Sequence, residues 1–198
     1  MRENIIVIGG GGHARVIIDA IGNEGAFTVK GIVDPAISKG SKVAGVDVLG
    51  GDEVLKELYS SGVRHAIIGI GTVGQYEAKK EICKKLKSCG FMLPVVRHPS
   101  SVIAADAVIG AGSFIAAGVV INPGVVIGEN AIINTHASID HDCQIGDYAH
   151  IAPGAILCGG VKVGHEVHIG AGAVVVQNMQ ITDKAFVKAG CLVAKDIG

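Results

Sequence analysis

A histidine followed directly by a carboxylate is the feature of this sequence most suited to chemistry. His141 precedes Asp142 in the segment SIDHDC. An imidazole gains and loses protons near neutral pH, and a nearby carboxylate fixes its tautomer and stabilises the imidazolium that forms. Such a pair can act as general base for an attacking amine or hydroxyl. The alternative is a solvated surface histidine beside a solvated aspartate.

A second candidate for chemistry is the glycine run 9–12, which is followed by His13 and joins an apolar segment to one with helical spacing. Main-chain N–H groups at a helix N-terminus attract phosphate oxygens. The run matches neither the dinucleotide-binding fingerprint nor the Walker loop, so by itself it is a weak signal. The chain carries 17 basic and 18 acidic residues and no basic stripe, which argues against nucleic-acid binding. An acidic substrate must therefore be held locally, by main-chain amides and a few side chains.

The composition indicates short strands and tight turns. Hydrophobic residues make up 49% of the 198 residues, aromatic residues only 4%, and glycine occurs 30 times. The five cysteines are odd in number and form no C-x-x-C pair, which argues for a reducing compartment. The first apolar run is too short for a signal peptide or a membrane span. We therefore predict a cytoplasmic protein with no membrane insertion and no nucleic-acid partner.

The first half of the chain alternates strand and helix patterns, which predicts a small parallel sheet with Rossmann-like winding over residues 1–97. The first helix follows from the spacing of Ala14, Ile17, Ile18 and Ile21. The predicted strands are Asn4–Ile8, Val29–Val33, His65–Ile70 and Phe91–Val96, and the further predicted helices are Asp52–Tyr59 and Tyr76–Lys87.

The second half of the chain has a period of six. Ile, Val or Leu stands at every sixth position from Ile103 to Val193, sixteen positions in all, and a small or modest side chain follows four residues later except at Met179. This pattern predicts a three-sided parallel β-helix over residues 98–198, with the aliphatic residues inside. Its flat, β-branched sides suit symmetric self-association. His141 stands two residues after Ile139, so the packing has no need for an imidazole there.

Long motifs give the chain a family resemblance. The hexapeptide run looks like the left-handed β-helix of hexapeptide-repeat acyltransferases. The opening IIVIGGGGHARVIIDA, the junction RHPSSVI and the segment INTHASIDHDCQIGDYAHIAPGA resemble the sialic-acid O-acetyltransferase family of NeuD and PglD type. The resemblance covers both domains. It implies a nucleotide-sugar-binding domain at 1–97, a left-handed β-helix acetyltransferase domain at 98–198, a homotrimer that binds acetyl-CoA between subunits, and no metal.

The resemblance also implies roles for individual residues. His141 is the general base and Asp142 its partner, although relatives often carry Glu at the second position. Asn134 orients the acceptor or the acetyl carbonyl. His150 lies half a coil from His141, so the two are expected to meet only across a subunit interface. The resemblance further implies Gly10, Gly12, His13, Asp34 and Gly71, with Gly69, for the nucleotide sugar, and His150, Gly159 and Gly170 for acetyl-CoA.

The expected activity is acetyl-CoA-dependent N-acetylation of a nucleotide-linked amino sugar, with a UDP-4-amino-4,6-dideoxy sugar favoured as acceptor. O-acetylation of sialic acid or another sugar, and a non-catalytic nucleotide-sugar-binding scaffold, remain as alternatives. A zinc hydratase on the same β-helix could use His136 and His141, but its third ligand position holds Ser100. Relatives also continue into a Val-Pro-Ala-Lys tail over acetyl-CoA, which predicts either a shortened sequence here or a more open cofactor site.

Overall fold

The computed structural model describes residues 2–71, 74 and 76–198. The chain divides into two compact units, Met1–Val96 and Arg97–Gly198. Within the described residues, no helix combines the length and the apolar character needed to cross a membrane.

The N-terminal unit is built on a five-stranded sheet of order β3-β4-β2-β1-β5. The central strand β1 pairs in parallel with β2 and β5, β2 pairs in parallel with β4, and β3 is antiparallel to β4. Residues 5–8 of β1 are buried, as expected of a parallel strand covered on both faces. The strands are β1 Glu3–Ile8, β2 Phe27–Val33, β3 Lys42–Val43, β4 Val46–Gly50 and β5 His65–Ile68.

Three helices pack on this sheet: α1 Gly12–Glu24, α2 Leu55–Ser60 and α3 Tyr76–Ser88. Helix α1 buries Ala14, Ile17, Ala20 and Ile21, the helical spacing read from the sequence. It ends at Gly25, whose φ of 75° is the left-handed conformation that glycine adopts without a Cβ penalty.

Three local predictions for this unit need correction. The predicted strand Phe91–Val96 is wrong: Met92 makes only a single bridge to His65, and Pro94 has no N–H to donate to a ladder. The predicted helix Asp52–Tyr59 is a 3-10 turn at Asp52–Val54 followed by α2. The hairpin β3–β4 was not predicted, because Ala44 occupies a left-handed turn position with φ 50° where asparagine or glycine is the usual signal.

The C-terminal unit is a parallel β-helix with three faces. Sixteen two-residue strands each end at one of the sixteen predicted aliphatic positions, and β6 adds one more strand to the third face. Face I comprises β7 Val102–Ile103, β10 Val120–Ile121, β13 Ser138–Ile139, β16 Ile156–Leu157, β19 Val174–Val175 and β22 Leu192–Val193. Face II comprises β8 Val108–Ile109, β11 Val126–Ile127, β14 Gln144–Ile145, β17 Lys162–Val163 and β20 Gln180–Ile181. Face III comprises β6 Val96–Arg97, β9 Phe114–Ile115, β12 Ile132–Ile133, β15 His150–Ile151, β18 His168–Ile169 and β21 Phe186–Val187.

The interior of the β-helix follows the predicted pattern. Ile121, Ile139 and Leu157 stack directly on one another in successive coils of face I. The residue four positions after each aliphatic also points inward where the stack is tightest, since Ala137 and Ala155 are fully buried. A small side chain is needed at this second position because the interior of the coil is narrow.

The corners between faces explain two further regularities. At most corners the third residue after the aliphatic is left-handed, either a glycine such as Gly160 (φ 71°) or another residue such as Asp142 (φ 59°). At four of the five corners that lead from face II to face III, a glycine follows the aliphatic and allows close stacking of coils, while Thr182 stands at the fifth. A Cβ on Gly146, for example, would lie 2.6 Å from the backbone of the next coil.

Candidate active site

The His141–Asp142 pair lies at the corner between faces I and II, directly after β13. Both side chains are exposed, with 61% and 73% of their surface accessible. The Nδ1 atom of His141 is 2.9 Å from Oδ2 of Asp142. Because a carboxylate can only accept, Nδ1 carries the hydrogen and Nε2 is the nitrogen free to take a proton. The ring is thus set up as a base on its Nε2 side.

The neighbouring coil determines where this ring lies. A Cβ on Gly159 would be 2.6 Å from both Cε1 and Nε2 of His141, so the imidazole rests against the α-carbon of this glycine. The main chain of His141 is held as well, since its carbonyl oxygen accepts the N–H of Gly160 at 2.9 Å. The left-handed backbone of Asp142 brings its carboxylate back towards the ring, and Gly124 in the preceding coil leaves room for that side chain.

Charge tunes the basicity of the imidazole. The hydrogen bond to Asp142 raises the pKa of His141 above its ordinary value, and the negative charge of Asp140 raises it further. A raised pKa strengthens the base once it is neutral, but it also increases the fraction that is protonated at a given pH. The fraction of His141 that is neutral and able to accept a proton therefore rises as the pH passes upward through the raised pKa.

Asn134 and His150 form a second polar contact of the β-helix. The side-chain Nδ2 of Asn134 lies 3.1 Å from Nε2 of His150, and the amide N–H of Thr135 donates to Oδ1 of Asn134 at 2.8 Å. The Thr135 bond fixes the amide orientation, so Nδ2 donates and Nε2 of His150 accepts. Asn134 lies at the corner between faces III and I, whereas His141 lies at the corner between faces I and II. Within one chain, face I separates the two groups.

His168 continues the column of His150 on face III. The two rings meet edge to face at a centroid distance of 4.9 Å, and Phe186 stacks on the far side of His168 at 5.0 Å. His168 is buried, its Nδ1 has no hydrogen-bond partner, and burial lowers its pKa. These surroundings give His168 a packing role.

The glycines predicted to contact acetyl-CoA have packing roles in the coil. Gly159 is covered by the imidazole of His141. A Cβ on Gly170 would lie 2.4 Å from the main-chain nitrogen of Ala189 in the next coil, so glycine is required there by coil stacking. The imidazole of His141 accounts for Gly159 and close coil stacking accounts for Gly170, and their contact with acetyl-CoA stays a prediction.

In the N-terminal unit, a cavity of about 460 Å³ opens at the carboxyl ends of β1, β2 and β5. This end of a parallel sheet is where α/β domains bind ligands. The residues of the N-terminal unit predicted to contact the nucleotide sugar line this one cavity, whereas Asn134, also predicted to bind the substrate, lies in the β-helix. The lining residues that were predicted are Gly10, Gly12, His13, Asp34, Gly69 and Gly71. The cavity is also lined by residues that the sequence analysis did not assign to the site, among them Pro35, Asp52, Ile70 and Ile82. Their position after a strand could have indicated Pro35 and Ile70, whereas Ile82 lies inside α3.

Asp34 fastens the glycine loop of this cavity. Its Oδ2 accepts the N–H of Gly10 at 2.7 Å and its Oδ1 accepts the N–H of Ala36 at 2.8 Å. A Cβ on Gly10 would lie 2.5 Å from Cδ1 of Ile37, so any larger residue at this point would have to displace that side chain. Helix α1 begins at Gly12 without a side-chain cap, which leaves first-turn N–H groups available to an anionic ligand.

The zinc alternative finds no support in the geometry. His136 lies at the corner between faces III and I and His141 at the corner between faces I and II. Ser100, at the third ligand position, bonds instead to His98 Nδ1 at 2.7 Å and to the N–H of Gly118 at 3.1 Å. In the part of the chain that the structure describes, no group of three His, Cys, Asp or Glu side chains could hold a metal ion.

Comparison with known proteins identifies the same two parts. Residues 4–86 match the PglD N-terminal domain, and residues 124–159 and 142–177 match the bacterial transferase hexapeptide (six repeats). A search of curated proteins found no match.

Solved structures resemble the whole chain. PerB from Caulobacter crescentus, in complex with CoA and GDP-perosamine, is 38% identical over 98% of this chain and 90% of its own, with a TM-score of 0.90. The H141N mutant of that organism's perosamine N-acetyltransferase is 36% identical with the same coverage and a TM-score of 0.92. The acetyltransferase domain of PglB from Neisseria gonorrhoeae FA1090, in complex with acetyl coenzyme A, is 33% identical over 100% of this chain and 93% of its own, with a TM-score of 0.88.

An α/β unit with a glycine-lined cavity, followed by hexapeptide coils with a histidine–carboxylate pair at one corner, defines a left-handed β-helix acyltransferase with a Rossmann-like front domain. The family resemblance found in the sequence is thereby confirmed. The chain belongs to the PglD/NeuD-like family of acetyl-CoA-dependent nucleotide-sugar acetyltransferases.

Proposed function

We propose that this protein transfers the acetyl group of acetyl-CoA to the amino group of a nucleotide-linked sugar, with His141 as general base. The observation that carries the proposal is the Nδ1–Oδ2 bond between His141 and Asp142, which leaves Nε2 as the proton-accepting nitrogen on an exposed corner. Support also comes from the relative whose solved forms include H141N and H141A variants bound to CoA and GDP-perosamine.

The proposed reaction balances with two proton movements. The amine nitrogen of the sugar attacks the thioester carbonyl, and Nε2 of His141 takes the proton that the nitrogen must lose. The imidazolium so formed is stabilised by Asp142. The tetrahedral intermediate then collapses, the C–S bond breaks, and the imidazolium returns the proton to the departing CoA thiolate. Acetylated sugar and CoA thiol are the products, and the histidine is neutral again.

In this proposal the cavity of the N-terminal unit binds the nucleotide part of the acceptor. We assign the phosphates to the main-chain N–H groups of Gly11 and Gly12 at the start of α1, beside His13, because the N–H groups of Gly9 and Gly10 already donate to Val33 and Asp34 and the chain has no basic stripe. We assign the base or ribose to the side of the cavity formed by Asp34 and Pro35. The PerB relative binds GDP-perosamine, so a GDP-linked amino sugar joins the UDP-4-amino-4,6-dideoxy sugar as an acceptor to test.

We further propose a cytoplasmic homotrimer with acetyl-CoA bound between subunits. The outer surface of face I carries a column of apolar side chains, of which Val102, Ile156 and Leu192 are 64%, 42% and 68% exposed. A second copy packed on this face would bury apolar area and bring its own Asn134 and His150 near the His141 corner. In this arrangement His141, Asn134 and His150 serve one site from two chains.

The test is an acetyl-transfer assay with acetyl-CoA and a panel of GDP- and UDP-linked amino sugars, with the matching hydroxyl sugars and free sialic acid as controls. We expect CoA release with an amino sugar and at least a hundredfold lower kcat for His141→Ala, on the scale of general-base catalysis. Retention of the wild-type rate by folded His141→Ala would refute the assignment of the base. Acetylation only of the hydroxyl sugars would refute the choice of an amine acceptor.

A further inference from the structure

The side chain that precedes the histidine–carboxylate pair forms a link of its own. Oδ1 of Asp140 accepts the side-chain N–H of Asn122, in the preceding coil, at 2.9 Å and the main-chain N–H of His141 at 2.8 Å. One carboxylate oxygen therefore ties the backbone of the catalytic histidine to the coil before it. The bond from Gly160 to the carbonyl of His141 ties the same residue to the coil after it.

The repeat provides an internal comparison for this link, because each position of a corner recurs every eighteen residues. Among the six coils, only two neighbouring ones carry an amide or carboxylate at the position of Asp140, namely the coil of Asn122 and the coil of Asp140 itself. The residues at this position in successive coils are Ala104, Asn122, Asp140, Cys158, Val176 and Ala194. The β-helix thus accommodates Ala, Cys or Val here and has no structural need for a carboxylate.

Asp142 differs in this respect. Its backbone is left-handed, and the corners that share this conformation hold Gly124, Gly160 and Asn178, the residue types that such a backbone favours. Asp106 and Asp196 occupy the same position in the first and last coils. The backbone alone accounts for a short polar residue at 142. Nothing comparable accounts for an acid at 140, where the conformation at the start of the corner suits alanine equally well.

We propose that Asp140, fastened by Asn122, is a positioning residue of the acetyl-transfer site. It holds the main chain of His141 so that the imidazole rests on Gly159 with Nδ1 directed at Asp142. The inference deepens the proposed function and rests on His141 being the base.

The charge of Asp140, like its hydrogen bond, favours His141 as a base. After the hydrogen bond to Asp142, the charge of Asp140 is the next cause that raises the pKa of His141. The hydrogen bonds from Asn122 and from the His141 N–H in turn lower the pKa of Asp140, which keeps it ionised. Asp142 and Asp140 are the charged groups that act on the imidazole, while the neighbouring coils present Asn122 and Gly159 to this corner.

The test compares Asp140→Ala, Asp140→Asn and Asn122→Ala with a matched control, Asp106→Ala. Asp106 lies at the same corner of an earlier coil and accepts the N–H of Gly124 at 3.1 Å. Alanine occurs at the position of Asp140 in two other coils, so Asp140→Ala is expected to fold, which circular dichroism and melting curves would verify. Two readouts are used: acetyl transfer from acetyl-CoA to GDP-perosamine, and the ¹⁵N resonances of the His141 ring over pH, identified by their loss in His141→Ala.

We expect Asp140→Ala to lower kcat by about tenfold, the scale of a small misplacement of a catalytic group, with KM for acetyl-CoA unchanged. Asp140→Asn keeps an acceptor oxygen, so its kcat should stay within about threefold of the wild-type value. The His141 ring should titrate at lower pH in this variant because the negative charge is lost. Asn122→Ala should fall between them, and Asp106→Ala should match wild type. In Asp140→Ala the ring nitrogens should also lose the fixed Nδ1–H tautomer, whichever acceptor the enzyme uses.

Each result decides the matter. If Asp140→Ala shows the wild-type ring resonances and the kcat of Asp106→Ala while His141→Ala is inactive, the positioning role is refuted and the general base stands. If His141→Ala is as active as wild type, the assignment of His141 as the base fails, and the positioning role of Asp140 fails with it. If GDP-perosamine is not acetylated, the ring resonances alone decide: a lost tautomer in Asp140→Ala supports the role, and an unchanged one overturns it.

Discussion

The contact between His141 and Gly159 allows a sharp prediction about Gly159→Ala. The new Cβ would lie 2.6 Å from Cε1 and Nε2 of the ring, whereas ordinary contacts lie at 3.4–4 Å. Gly159 is outside the left-handed region, so alanine fits the backbone without strain. The coil is held by the bonds Gly160 N to His141 O at 2.9 Å and Asn178 N to Gly159 O at 3.0 Å. The exposed ring, and not the coil, will therefore move.

Restoring ordinary contact requires the ring to shift by about 1 Å, and a misplacement of this size costs up to about a hundredfold in rate. We expect Gly159→Ala to lower kcat by about ten- to a hundredfold, with a melting temperature within a few degrees of wild type. Steady-state kinetics at saturating acetyl-CoA and nucleotide sugar measure the effect. The control is a double-mutant cycle: in a His141→Ala background the ring is absent, and Gly159→Ala should change the residual rate by less than about twofold.

Two results would refute this reasoning. The first is a wild-type kcat in Gly159→Ala, which would mean that the ring need not rest on this glycine. The second is a rise in KM for acetyl-CoA with kcat unchanged that persists in the His141→Ala background. That pattern would make Gly159 a contact of the pantetheine arm and not a support for the base.

Three further predictions follow from the described contacts. Asp142→Ala removes the hydrogen bond that is the main cause of the raised pKa of His141. The acidic limb of the kcat/KM profile should therefore move to lower pH while the maximum falls, and an unmoved limb would contradict the role of the bond. Asp34→Ala releases the N–H groups of Gly10 and Ala36, so KM for the nucleotide sugar should rise about tenfold or more in steady-state assays. The control is Asp47→Ala at an exposed site, and an equal KM in the two variants would contradict the role of Asp34. His168→Phe replaces an imidazole whose buried Nδ1 has no partner by the type of ring that the column already contains at Phe114 and Phe186. The free energy of unfolding should rise by about 1 kcal/mol and the melting temperature by a few degrees. A lower melting temperature would show that His168 needs its nitrogens.

The sequence predicted the β-helix well because one physical requirement repeats sixteen times. Each inward aliphatic has the same neighbours above and below, so the signal accumulates along the chain. The left-handed corner residues escaped notice, since the same backbone is adopted by His136, Tyr148 and Lys184 as well as by glycine. The type of side chain at that position carries little information about its conformation.

The N-terminal unit was harder to predict at its margins. Phe91 and Leu93 are buried in the core, so their apolar character indicated burial correctly but could not distinguish a strand from an irregular segment. Asp34 was found because it directly follows a predicted strand, whereas Pro35 beside it was missed and Asp52 and Ile82 come from elsewhere in the chain. The link between Asn122 and Asp140 was also missed, although writing the sequence in lines of eighteen residues places the two side by side.

The location of the His141 corner along the stack has a consequence for durability. Strand β13 is the third of six on face I, so coils cover it on both sides. A solenoid loses structure from its ends inward, because a terminal repeat lacks one neighbour. Heat or denaturant should therefore unfold the outer coils first. The His141 corner should be among the last parts of the β-helix to exchange its amide hydrogens with solvent.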